Sequence, residues 1–195
     1  MDPFLPQLPL FLQSDPMKTL LLIFLINFFL HAPAQPVKKH GQLSVAGIRM
    51  VDKNRKPFAL HGMSFGWHNY QPKFYTADVV KWLYKDWNCN VVRAAMGIEP
   101  GKGYKDNPEY SEKLITTVVD AAIKQGIYVI IDWHSHNINK EAIAFFGRMA
   151  KKYGKHPNIL YEIFNEPDHE SWKDVKQHCI AVINEIRKFD KKLLQ

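Results

Sequence analysis

The chain reads as a parallel α/β protein, about four strand–helix units arranged as the N-terminal half of an eight-unit barrel. Three observations predict this. From Leu43 onward, short apolar runs rich in β-branched residues alternate with longer stretches of helical period, the pattern of crossover-linked parallel strands. The runs are apolar throughout rather than alternating, as in strands covered on both faces. Each run also ends in polar residues, and that end is where such barrels collect their chemistry. A complete barrel takes about 250 residues, and 161 follow residue 34, so half a barrel is the reading and a four-unit open sheet the alternative. No Gly-x-Gly-x-x-Gly follows any strand, which leaves a dinucleotide-binding fold unsupported.

Taken in order, Leu43-Ser44-Val45 and Ile48-Arg49-Met50-Val51 read as a short hairpin turning at Asp52-Lys53-Asn54. Phe58 to Met63 reads as the first inner strand. Thr76 caps a helix through Trp87, with Val79, Val80, Leu83 and Trp87 on one face. Asn90 to Met96 is the second strand. Ser111 starts a helix closed by Gly126, whose lack of a Cβ suits a left-handed end. Ile127 to Ile131 is the third strand, running into Asp132-Trp133-His134. Asn139 caps a helix whose apolar face is Ala142, Phe145, Phe146, Met149 and Tyr153, ended by Gly154. Asn158 to Phe164 is the fourth strand, stopped by Pro167. Ser171 caps the last helix with Asp174 three residues on, and Trp172, Val175, Cys179, Val182 and Ile186 face inward.

The beginning of the chain has a different character. Met17-Lys18-Thr19 precedes Leu20 to Leu30, eleven residues apolar except for Asn27, and then His31-Ala32-Pro33-Ala34 supplies small residues for cleavage. That is the form of a secretory signal peptide, its run shorter than the roughly 20 residues a membrane span needs. Residues 1–16 read as an upstream extension, 17–34 as the signal, and 42–195 as a partial catalytic domain. The expected location is extracellular, with no membrane attachment after signal removal. The formal charge is +7, rising to +8 without residues 1–34, which hold Asp2, Asp15 and Lys18. The charge is scattered rather than striped and no basic motif accompanies it, so no nucleic-acid partner is expected. Cys89 and Cys179 read as buried free thiols, with a bridge between them as the alternative.

Candidate chemistry gathers at the strand ends. These hold Ser64 and the Trp67-His68 segment, then Arg93, then Asp132, Trp133, His134 and His136, and finally Asn165 and Glu166. An arginine inside Val-Val-Arg-Ala-Ala-Met must be paired, either as a structural ion pair or as a cation that holds a carboxylate ionised. His134 and His136 have no third ligand at suitable spacing, so no metal and no cofactor is expected. Trp67, Tyr70 and Trp133 suit stacking on sugar rings if they share one face. Glu166 at a strand end suits proton transfer, which in glycoside chemistry requires a second carboxylate.

Four segments carry a resemblance. Leu60-His61-Gly62-Met63-Ser64, Val91 to Met96, Ile130-Ile131-Asp132-Trp133-His134 and Tyr161 to Pro167 are together similar to glycoside hydrolase family 5, over about residues 42–190. Within it they resemble the secreted β-1,4-endoglucanases, or cellulases, in overall phrasing those of plant-parasitic nematodes. The resemblance implies a (β/α)8 TIM barrel and a retaining mechanism. It makes Glu166 the general acid/base and gives Asn165 the substrate 2-hydroxyl. Arg93 would orient the nucleophile, and His134 would line the cleavage subsite. The proton-donor role favours a buried Glu166 beside another carboxylate. In the family the nucleophile lies on strand seven, after a His-x-Tyr motif on strand six, and neither is within these residues. Where Gly66 stands the family often has a histidine, so His68 is the candidate replacement. The implied partner is β-glucan, acted on by a monomer, with the 195 residues inactive alone. The alternative is a non-catalytic secreted glucan-binding protein.

Overall fold

The computed structural model describes residues 35–99 and 101–191, so the expected extension and signal peptide lie outside the described residues. Four parallel strands form its main sheet in sequence order: β3 (Gly62–Trp67), β4 (Val91–Gly97), β5 (Tyr128–His134) and β6 (Ile159–Glu162). Helices α2 (Ala77–Asp86), α3 (Pro108–Gln125) and α4 (Glu141–Tyr153) form the crossovers, and α5 (Trp172–Arg187) follows β6. In parallel strands, successive side chains alternate between two faces. One face of the sheet, with Val92, Ala94, Met96, Val129, Ile131, Trp133 and Ile159, builds the main core with Val80, Leu83, Val118, Phe145, Phe146 and Ile186 of the helices.

The other face is closed at the strand starts by the N-terminal segment. This comprises α1 (Pro36–His40) and an antiparallel hairpin of β1 (Ser44–Ala46) and β2 (Arg49–Val51). Leu43, with Met50, Phe58 and Leu60, packs on Val91 and Tyr128, and the Tyr128 hydroxyl donates to the Gly41 carbonyl at 2.6 Å. The far end of the same face stays polar.

Several sequence expectations shift here. The hairpin turns at Gly47-Ile48, where Gly47 has φ 61, rather than at Asp52-Lys53-Asn54. Asp52 instead organises a second turn, accepting from the Asn54 and Lys56 amides. The first inner strand begins at Gly62, because Phe58 and Leu60 are used to plug the sheet. The third helix begins at Pro108, its Asn107 side chain accepting from the Tyr110 amide, and Ser111 is an interior residue. Asn139 does not cap α4, since its amide turns into the preceding loop. Trp87 and Trp172, expected to face inward, are exposed. Gly126 does take the left-handed end of α3, with φ 70. Cys89 is buried and Cys179 half-buried, both free thiols. No helix of the described residues is long and apolar enough to cross a membrane.

Candidate active site

Register assembles the site. Ser64 pairs with Arg93, and Ala95, Asp132 and Glu162 stand level across β4, β5 and β6. Arg93 therefore meets both carboxylates on the non-helical face. Its Nε and Nη2 donate to the two oxygens of Glu162, each at 2.7 Å, a forked pair of charge-assisted bonds. Nη2 also lies 2.9 Å from Asp132 Oδ2 and donates to Asn165 Oδ1 at 3.0 Å, while Nη1 reaches Ser64 Oγ. The bond to Glu162 pushes the guanidinium pKa upward. Burial pushes the carboxyl of Asp132 up, against the pull of His134 and Arg93. Both readings of Arg93 thus meet in one group, an ion pair that is also a fixed cation. Removing it would leave Asp132 as an uncompensated buried charge, a loss of about 3–5 kcal/mol in comparable cases.

His134 Nδ1 sits 2.7 Å from Asp132 Oδ2 and 3.3 Å from Arg93 Nη2. The contact to the carboxylate, which has only lone pairs, is the shorter of the two, so Nδ1 is assigned the proton and donates to Asp132. That assignment makes Nε2 the ring's acceptor atom. Asn165 is oriented the same way. Its carbonyl oxygen is held by Arg93, and its amide nitrogen is buried with no protein partner. A buried donor without a partner is costly, and it is the atom a ligand hydroxyl would satisfy.

Glu166 follows directly, its backbone N–H donating to the Ser135 carbonyl at 3.5 Å. It does not meet the expectation of burial beside a carboxylate. Its side chain is 71% exposed, and Oε2 is paired with His136 Nδ1 at 3.6 Å. The strand ends at Glu162 rather than at the expected Phe164, so Glu166 lies four residues beyond it.

Aromatic rings continue the surface. Trp67 stands edge-on to His134 with centroids 4.6 Å apart, and Tyr70 and His136 lie 5.7 and 6.0 Å from it. Trp133 is not part of this group, and its expected sugar contact is corrected. It is fully buried on the helix side between Tyr104 and Phe145, because the residue next to an inward His134 must point the other way. His68 is likewise interior, bound to Ser111 Oγ and the Gly97 amide, so it does not replace the histidine expected at Gly66. Among the described residues no group of three or more His, Cys, Asp or Glu is placed to hold a metal ion.

Glu162 is the residue that sequence reasoning missed. The signal was present, since a carboxylate inside the apolar run Tyr161-Glu162-Ile163-Phe164 needs a cation as much as Arg93 needs an anion.

Comparison with known proteins gives consistent results. The family model described as cellulase, glycosyl hydrolase family 5, matches residues 51–194. Endoglucanase Z of Dickeya dadantii is 44% identical over 166 residues, covering 82% of this chain and 37% of its own length. Among solved structures, one from Cytophaga hutchinsonii is 47% identical with a TM-score of 0.79. A variant of the Thermobifida fusca endoglucanase Cel5A catalytic domain, in complex with cellotetraose, is 31% identical with a TM-score of 0.77. Each of the two matches covers 82% of this chain and 54% of the other, so the chain spans about half of the solved catalytic domains and less of the curated relatives.

Proposed function

The chain belongs to glycosyl hydrolase family 5 and carries the N-terminal half of its (β/α)8 barrel, and from this we propose that it supplies the proton-donating half of an endo-β-1,4-glucanase. The observation that carries the reading is Asn165. Arg93 takes its oxygen and leaves a buried, unpartnered amide N–H on the residue before Glu166, as a hydroxyl-bearing substrate requires. Trp67 and Tyr70 add stacking surface at the same end of the sheet. The relatives support the substrate class, since they are endoglucanases and the Cel5A variant is in complex with cellotetraose.

In this reading Glu166 protonates the glycosidic oxygen as the bond to the anomeric carbon breaks. The oxocarbenium-like centre collapses onto a second carboxylate about 5–5.5 Å away, and Glu166 then takes a proton from the water that releases the sugar. Asn165 binds the 2-hydroxyl, and His134, held by Asp132, lines the cleavage subsite. Asp132 and Glu162 are committed to Arg93. The nucleophile is in this reading the strand-seven carboxylate that the family resemblance implies, outside the four strands described, so the described residues supply the proton-donating carboxylate and not its partner. The apolar run at residues 20–30, with its basic start and small-residue exit, supports reading the protein as secreted. The relatives named are bacterial, and a nematode-like origin rests on sequence phrasing alone.

The test is Glu166→Gln in the full-length enzyme. Turnover of carboxymethyl-cellulose should fall by about 10²–10⁴-fold with binding little changed, the share typical of one general acid. Unchanged turnover would refute the role.

A further inference from the structure

Just past β4 stands a carboxylate that this reaction does not use. Glu99 Oε2 accepts from the Ser135 hydroxyl at 3.0 Å, and Oε1 lies 3.3 Å from both the Asn139 amide nitrogen and Lys105 Nζ. Ser135 and Asn139 are buried, and the Asn139 amide also donates to Ser135 Oγ and the Asn137 carbonyl. Glu99 thus fixes the loop between β5 and α4 from one side.

The other side of this loop holds the proton donor. Ser135 O accepts the Glu166 backbone N–H at 3.5 Å, His136 Nδ1 lies 3.6 Å from Glu166 Oε2, and the Ile138 amide donates to Glu170 Oε1 at 3.0 Å. Glu166 lies beyond the last strand pairing and is largely solvated, and this loop contacts both its backbone N–H and its carboxylate. A displacement of about 1 Å in a reacting group can cost 10²-fold in rate.

We propose that Glu99 is a positioning residue for Glu166, acting through Ser135 and His136 of the loop it clamps. This rests on the acid/base reading of Glu166. A residue that places a proton donor matters only where a proton must be donated, and this separates positioning from mere stability.

The experiment compares phenyl and 2,4-dinitrophenyl β-cellobiosides in the full-length enzyme. The phenolate leaving group needs protonation and the dinitrophenolate does not. Glu99→Ala should lower kcat/KM on the phenyl substrate by about 10–100-fold, within the range of general acid catalysis, and on the dinitrophenyl substrate by less than about threefold. Glu99→Gln keeps one acceptor oxygen and should recover most of the loss. Amide hydrogen exchange at Glu166 should quicken in Glu99→Ala, a readout independent of turnover. Equal losses on both substrates, or unchanged exchange at Glu166, would overturn the proposal. Glu166→Gln is the control. If it shows leaving-group dependence and Glu99→Ala does not, positioning alone has failed. If Glu166→Gln itself shows none, the acid/base reading has failed and the proposal falls with it.

Discussion

His68 uses both ring nitrogens inside the protein with a single proton. Nδ1 accepts from the Gly97 amide at 3.0 Å, and Nε2–H donates to Ser111 Oγ at 2.8 Å, whose hydroxyl passes on to the Asn107 carbonyl. Burial lowers its pKa from 6.5 to about 4. Between those values the unfolded chain binds a proton that the folded one refuses. The stability is therefore complete above pH 6.5 and is lost as pH falls toward 4, by roughly 2–3 kcal/mol. Urea midpoints measured from pH 7 to 4 should decline less steeply in His68→Gln than in the parent, and equal slopes would exclude this role. His68 also shows what sequence could not convey, for a histidine near a strand end reads alike whether it faces sugar or core. Arg93 was legible because a lone cation in an apolar strand demands a partner. Trp133 stands among polar neighbours in the sequence, but the two-residue period of a strand turns it to the opposite face from His134, into the core.

At the scale of elements, local chemistry held at Thr76, Gly126 and Ser171 and failed at Ser111 and Asn139. Ser171 accepts from the Asp174 amide at 3.2 Å and donates to its carboxylate at 2.6 Å, a reciprocal cap set entirely by residues three apart. Ser171→Ala should cost about 1 kcal/mol, read as a lower urea midpoint with an unchanged slope; no change would mean the cap is idle. Gly126 ended α3 as expected for the same local reason. Boundaries that depend on distant packing moved. Phe58 and Leu60 form an apolar run, but Val91 and Tyr128 draw them under the sheet, and β3 begins later. Helical period gave stripes of apolar residues without saying how far a stripe is covered. Val182 and Ile186 of α5 are buried while Trp172, on the same predicted face, is 76% exposed.

Across the whole molecule, the two faces of one sheet divide the work. Helices cover one face, and the other is plugged at the strand starts and polar at the strand ends, so the site rests on a packed floor. Leu43 is 1% exposed within that plug. Leu43→Ala should lower unfolding stability by about 2–4 kcal/mol, whereas Val45→Ala, at a position 46% exposed, should change it little. Similar losses at both positions would show that the plug does not pack as a unit. The order of strands and helices, the caps at Thr76 and Ser171, the end at Gly126, and the need to pair Arg93 were present in the sequence, because they depend on period, short spacing and charge. The partners were decided only by tertiary structure. Arg93 finds Glu162 across 69 positions of sequence, and Glu99 meets Ser135 across 36. Such meetings depend on the register of parallel strands, which is fixed by how helices and plug pack on the sheet and not by any residue's own preference.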